Sequence, residues 1–261
     1  MIILIHTSKT MRPPADDTTD RLATPVLIKK ARELSDYAKT LTLADIQKTM
    51  HVSEKLAVTT KTLLESWTDQ PTLQRAAIDS FLGDIYSGLQ VGALTEDDRS
   101  YANEHMRILS GLYGIVRPLD GVYPYRFEMG YRFPHLPGMN LYAFWGDAIA
   151  KTLPEDETIV DLSAVEYGKT VTKYVDPARV ISPRFLTISQ KTQQPIFVVV
   201  HAKIARGAFA HWMIKYRIEA VEQLPTFHEL GYVYDARLST PLVPVFVCQA
   251  FGGIGLSVRL S

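Results

Sequence analysis

The chain has 261 residues, 46% of them hydrophobic, with 28 basic and 28 acidic residues and a formal net charge of zero. That length can bury a full core as one large domain or two small ones, and the neutral total counts against a dedicated, strongly basic nucleic-acid binder. One cysteine, Cys248, excludes an intrachain disulfide and a multi-cysteine zinc site and fits a reducing cytoplasm; no apolar run approaches the roughly 20 residues of a membrane span.

Met1 to Ile5 is apolar and β-rich and predicts a buried strand. It is too short, and lacks the basic flank, for a signal peptide. A polar turn follows at His6-Thr7-Ser8-Lys9-Thr10, then a loop around Pro13, Pro14, Asp16 and Asp17. From Thr24 to Trp67 the pattern predicts three helices: Thr24 to Lys39, one opening on the capping-box sequence Thr42-Leu-Ala-Asp45, and Ser53 to Trp67. Thr95-Glu-Asp-Asp98 has the same start pattern, for a helix running to Leu109. Tyr142 to Leu153 reads as helical. Thr158 to Leu162, Arg179 to Ile188, Ile196 to Val200, Tyr232 to Asp235 and Val243 to Cys248 read as strands, with a helix from His201 to Ile218. Cys248, in an apolar run, is expected to be buried. There is no repeat, low-complexity tract or flexible linker. The expected fold is α+β: a single mixed α/β domain over residues 1–261, with a central sheet carrying a small helical lobe.

The densest segment runs from His105 to Gly130. Gly111 and Gly114 lie three apart in an apolar stretch, and Arg117, Asp120, Tyr123, Tyr125, Arg126 and Glu128 follow. Ser110 to Gly114 fits the hairpin of a helix-hairpin-helix, whose backbone N–H groups face a DNA phosphate. A glycine-flanked strand, LYGIV, fits the same letters. In the helix from His201, Ala205, Phe209, Trp212 and Tyr216 share one face. Lys203, Arg206 and Arg217 fall within about 60° of one another opposite it, with Lys203 and Arg217 about 21 Å apart along the axis. Such a row suits a polyanion, and it also suits an ordinary wet helix face. Gly207 inside this helix implies close approach of another backbone. Ser8-Lys9-Thr10 ends a buried strand, a common place for anions, without the glycines of a P-loop. Asp84 either caps a helix or orients a basic residue. Asp147, Glu166 and Glu128 form a possible carboxylate set for acid–base work or a divalent ion; pairing with Arg117, Arg126 and Lys169 is the structural alternative. The seven histidines show no HxH or HExxH spacing, so no histidine metal site is expected.

These blocks together resemble the YaaA family of peroxide stress proteins. The matching motifs are Ser8-Lys9-Thr10, the block from Gly83 to Leu89, LSGLYG with RPLD from Leu109 to Asp120, and Pro124 to Gly130. Leu141 to Asp147, Glu166 to Lys169 and Ala202 to Gly207 complete them. They follow the family's order over nearly the whole chain. The resemblance implies a mixed α/β fold of its own type, a positively charged cleft, a helix-hairpin-helix-like element and DNA binding. It also implies a cytoplasmic role in limiting iron-driven damage under peroxide. The chain departs from the family pattern at His6-Thr7-Ser8, where Ser-Pro-Ala is usual, and at Ile204, where a second basic residue is frequent. It also lacks a basic C-terminal tail. Weaker DNA affinity is the expected consequence.

The leading expectation is therefore a cytoplasmic DNA-binding protein, largely sequence-nonspecific, with no cofactor and no membrane. Lys9, Arg117, Arg126, Lys169, Lys203 and Arg206 would neutralise phosphates, and Gly111 and Gly114 would supply backbone donors. Tyr113, Tyr125 and Tyr167 would stack on unpaired bases. The rival is a nucleic-acid-processing enzyme, glycosylase- or lyase-like. Glu128, Asp147 or Glu166 would be its acid or base, and Lys9 or Lys203 an anion holder or nucleophile. A scaffold with a protein interface is a third reading. Convergence of the carboxylates on Lys9 separates the first two.

Overall fold

The computed structural model describes residues 1–15, 22–136 and 140–253. Asp16 and Asp17 of the expected loop, and the C-terminal end, lie outside them. The expected first strand forms as β1 (Ile2–His6), with all five residues buried. It runs parallel to β5 (Met106–Ser110) on one side and β8 (Ile159–Asp161) on the other. β9 (Val180–Ile181) extends the sheet in parallel beyond β8, and β6 (Gly114–Val116) closes the far edge antiparallel to β5. The order β6-β5-β1-β8-β9 puts β1 in the middle. Both β1 and β5 are buried along their whole length, as parallel strands covered on both faces are.

Two short ladders flank this sheet. β2 (Thr10–Met11) pairs with β4 (Phe81–Leu82), and β3 (Arg75–Ala76) with β7 (Gly121–Val122). A second sheet has the order β11 (Pro195–Ile196), β10 (Arg184–Ile188), β13 (Val245–Cys248), β12 (Tyr232–Tyr234). The helices are α1 (Ile28–Lys39), α2 (Leu43–Met50), α3 (Glu54–Ser66), α4 (Ala77–Ser80), α5 (Asp84–Leu89), α6 (Glu96–His105), α7 (Leu141–Trp145), α8 (Val165–Thr172) and α9 (Val199–Lys215).

α1, α2 and α3 form the helical lobe. Both capping boxes read from the sequence are present, Thr42 with Asp45 and Thr95 with Asp98. The lobe is tied to the central sheet by Trp67, whose Nε1 donates to the Tyr113 hydroxyl at 3.0 Å. α9 packs against both sheets and crosses α5. A Cβ built on Gly207 would lie 1.8 Å from the Ile85 carbonyl oxygen, and one on Gly88 would lie 2.0 Å from that of Ile204. The close approach expected at Gly207 is thus reciprocal. On its other side α9 sends Phe209 into Phe185, Phe227 and Phe246, with ring centroids 4.8 to 5.7 Å apart. Cys248 is buried in this second sheet, as expected.

The structure corrects several boundaries. The helix from Glu96 ends at His105 because Met106 to Leu109 pair with β1. The first helix begins at Ile28 instead of Thr24. The stretch expected as one strand from Arg179 divides at Ser182-Pro183 into β9 and β10, which belong to different sheets. Ile196 to Val200 is only partly strand, since α9 already starts at Val199. The helix expected to Leu153 stops at Trp145, where Gly146 turns the chain.

Ser110 to Gly114 is not the hairpin of a helix-hairpin-helix. β5 precedes it and β6 follows, so it is the turn of a β-hairpin with Ser110 opposite Gly114. Gly111 and Gly114 are buried in this turn. A Cβ on Gly111 would meet the Phe127 carbonyl oxygen at 2.2 Å, and one on Gly114 the Trp145 ring at 2.9 Å. The missing side chains let protein pack closely on the turn.

Candidate functional site

Parallel sheets gather polar groups at their carboxyl ends, above all where strand order reverses. Here that point is β1, which has β5 and β8 on opposite sides. β1 ends in His6 followed by Thr7, β5 in Ser110, and β8 in Asp161 followed two residues on by Ser163. The turn beyond β1 carries Lys9. The loop from Tyr123 to Tyr131 brings Arg126 and Glu128 across, α8 adds Glu166 and Tyr167, and α9 adds Lys203 and Arg206.

A hydrogen-bonded floor holds these groups. The Tyr167 ring stacks on His6 with centroids 4.9 Å apart, and Thr7 Oγ1 donates to its hydroxyl at 3.4 Å. Tyr125 and Ser110 share a hydrogen bond of 2.5 Å. Tyr86 donates to the His6 carbonyl at 3.2 Å. The Ala164 N–H donates to His6 Nδ1 at 3.2 Å, so the neutral ring carries its proton on Nε2. Ser163 donates to Asp161 Oδ1 from its backbone N–H at 2.9 Å and from its hydroxyl at 2.5 Å. Arg126 reaches the Lys9 carbonyl at 3.4 Å, while its Nε and the Tyr131 hydroxyl are buried without a hydrogen-bond partner among the described residues.

The electrostatics bind the same residues together. Burial, then the charges of Arg206 and Lys203, push the His6 pKa down to about 3, so the imidazole is neutral at physiological pH. Burial raises the Glu128 carboxyl; Lys9 and Arg126 pull it back, while Glu166 pushes it further up. Burial likewise raises Asp161, against the pull of its Ser163 hydrogen bonds and of Arg206. Burial lowers Arg206, and Asp161 opposes this. Lys9 and Arg126 thus act on Glu128, and Lys203 and Arg206 on His6, so four cations lie around three carboxylates, two of which resist ionisation. Lys9, Arg126, Lys203 and Arg206 make no ion pair within 4.0 Å among the described residues.

Glu128 gives a direct test of this picture. Its raised pKa means that the ionised carboxyl costs folding free energy at neutral pH, and that this cost fades as pH falls through the folded value. Glu128→Gln mimics the protonated form. It should raise the urea midpoint at pH 8, with the gain shrinking on acidification and gone once pH falls below the ordinary glutamate range. A gain that stays constant down to pH 4 would assign the effect to packing.

Several expected members lie elsewhere. Arg117 follows β6, which runs back along β5, so it sits at the opposite end of the sheet beside Arg107 and Asp120. Asp147 is exposed and paired with Lys151 at 2.8 Å. Arg217 has left the helix at φ 52° and, with Lys215, pairs with Asp98 at 3.0 Å. Lys169 lies one turn beyond Glu166 on α8 and faces a separate cavity. Tyr113, Tyr125 and Tyr167 are at most 4% exposed, so none offers a ring face for stacking. Sequence reading missed His6, Thr7, Asp161, Ser163 and Tyr131. The polar residues closing β1 and β8 were the available signal, but only the pairing of those strands unites them.

The sequence model of the family described as peroxide stress protein YaaA matches residues 1–238. A UPF0246 protein of Salinispora tropica is 55% identical over 260 residues, covering 99% of this chain and 98% of its own. A UPF0246 protein of Marinomonas sp. (strain MWYL1) is 39% identical over 253 residues, covering 95% and 96%. These matches run through every strand and helix that builds the cationic corner, from Lys9 to Arg206. The chain belongs to the YaaA family of peroxide stress proteins.

Proposed function

We propose that the chain acts in the peroxide stress response as a cytoplasmic DNA-binding protein, working as a single domain whose cationic corner holds a DNA phosphate. The observation that carries this reading is the convergence of Lys9, Arg126, Lys203 and Arg206 at the strand ends on either side of β1. Among the described residues none of them has a carboxylate within ion-pair distance. The unsatisfied Arg126 Nε and Tyr131 hydroxyl add two donors suited to an anion. Glu128, Glu166 and Asp161 lie among these cations and limit the corner to one phosphate group, in place of a long basic track. Bound DNA would be shielded from iron-driven oxidation by occupation.

The test is the salt dependence of binding to a duplex. Each phosphate neutralised adds roughly 0.9 to the slope of log K against log salt. Lys203→Ala with Arg206→Ala should lower that slope by about 1, the share of the one phosphate they hold, and weaken binding uniformly across sequences. An unchanged slope would remove α9 from the interface.

Glu128 favours a second reading, a nucleic-acid-processing enzyme of glycosylase or lyase type acting on a damaged base in the same cleft. A buried carboxyl that stays protonated further up the pH scale can donate a proton to a leaving base, and Lys9 is its neighbour. Strand breakage or base release on a gel, lost in Glu128→Gln, would establish this reading over simple binding.

A further inference from the structure

We propose that a cavity beside α8 is a second subsite, shaped for an unpaired nucleotide of the same DNA strand. It rests on the DNA reading above and extends it from one phosphate to a path. The cavity has a volume of about 420 Å³ and is lined by Asn140, Tyr142, Ala143, Lys169, Thr170, Lys173 and Tyr174. That volume lies in the range of small-ligand sites.

The lining has the two parts of a nucleotide's complement. Lys169 and Lys173 supply two ammonium groups, no acid lines the wall, and neither lysine has an ion-pair partner among the described residues. Lys169 Nζ lies 4.0 Å above the Tyr142 ring and Lys173 Nζ 5.5 Å from the Tyr174 ring. The Tyr142 hydroxyl donates to the Glu166 carbonyl at 3.0 Å, which fixes that ring before any ligand arrives. Tyr174 is 40% exposed and presents a face on which a base can stack. Asn140 Oδ1 accepts the Ala143 N–H at 3.0 Å, which leaves its amide nitrogen as the donor for a base edge.

Continuity with the phosphate site comes from helix geometry. Glu166 and Lys169 share one stripe of α8, and Lys173, which caps the helix in helical conformation, continues it at spacings of three and four residues. The stripe climbs about 10 Å from the cationic corner to the far side of the cavity. A strand leaving a phosphate at Lys9 and Arg126 would meet the lysines next and the tyrosines beside them. A stacked duplex has no free base face for Tyr174, so the subsite selects unpaired nucleotides.

The experiment compares two fluorescein-labelled probes by anisotropy: an oligothymidine of about 12 nucleotides and a blunt hairpin duplex. Lys169→Glu with Lys173→Glu should weaken oligothymidine binding tenfold or more and leave the duplex within twofold. Tyr174→Ala, which alters no charge, should weaken oligothymidine about fivefold. Lys203→Ala with Arg206→Ala should weaken both probes. Circular dichroism confirms that each variant is folded. If only the Lys203/Arg206 pair matters, the subsite is overturned and the DNA reading stands. Equal losses on both probes for the α8 variants would also overturn it, as non-selective charge. If the unaltered protein binds neither probe, both proposals fall.

Discussion

Trp145→Ala should cost about 3 to 5 kcal/mol of folding stability, the range for deleting a buried large aromatic side chain. Trp145 is 1% exposed and does three things at once. Its ring covers Gly114 in the hairpin turn, so closely that a Cβ there would lie 2.9 Å away. Its Nε1 donates to the Gly111 carbonyl at 3.0 Å. Its edge meets Phe144 with centroids 5.1 Å apart. Alanine leaves a cavity and strands a buried carbonyl, which adds its own penalty. Trp145→Phe keeps most of the ring and loses the hydrogen bond, for roughly 1 kcal/mol. Urea unfolding of both variants checks the ledger. A loss under about 1 kcal/mol for the alanine variant would show that the hairpin is held by something else.

Gly207→Val should prevent folding to the native state, and Gly207→Ala should cost about 3 kcal/mol, at the top of the overpacking range. Helix propensity alone argues the other way: glycine to alanine inside a helix gains about 1 kcal/mol. The contact decides the sign. A new Cβ meets the Ile85 carbonyl oxygen at 1.8 Å and the Leu89 nitrogen at 2.7 Å, both backbone atoms of α5 that no rotamer change can move. Only separation of α5 from α9 relieves the clash, and α9 carries Lys203 and Arg206. Partial separation should therefore weaken DNA binding in Gly207→Ala more than its lost stability alone would. Gly88→Ala should behave alike, and the double substitution should cost less than the sum, because one separation serves both sites. A stabilised Gly207→Ala would contradict the close crossing.

The location of the cationic corner explains which parts of the sequence reading succeeded. Local signals translated directly. Five consecutive apolar residues made a buried strand, Thr42-Leu-Ala-Asp45 and Thr95-Glu-Asp-Asp98 made capping boxes, and a glycine in an apolar helix marked a backbone crossing. Each depends on neighbours within a turn or two, where period and capping chemistry act. Lys9, Arg126, Glu128, Glu166, Lys203 and Arg206 were also singled out, from residue type and the family's motifs. Their grouping was not derivable from spacing.

The failures have one cause. Ser110 to Gly114 satisfies a helix-hairpin-helix and a β-hairpin equally well as a string; the choice falls to β1, which captures Met106 to Leu109 as a parallel partner and so ends α6 early. Arg117 and Asp147 carry the right chemistry in the right segment, yet the direction of β6 and the turn at Gly146 aim them away. Tyr113, Tyr125 and Tyr167 read as surface stackers and became a buried floor, because parallel strands leave their polar ends in need of hydroxyl partners. By itself the sequence determined the elements, the caps and the family. Tertiary structure alone decided which charges gather at one corner, since strand order and the packing of α9 join residues as far apart as His6, Asp161 and Arg206, and no local periodicity encodes that arrangement.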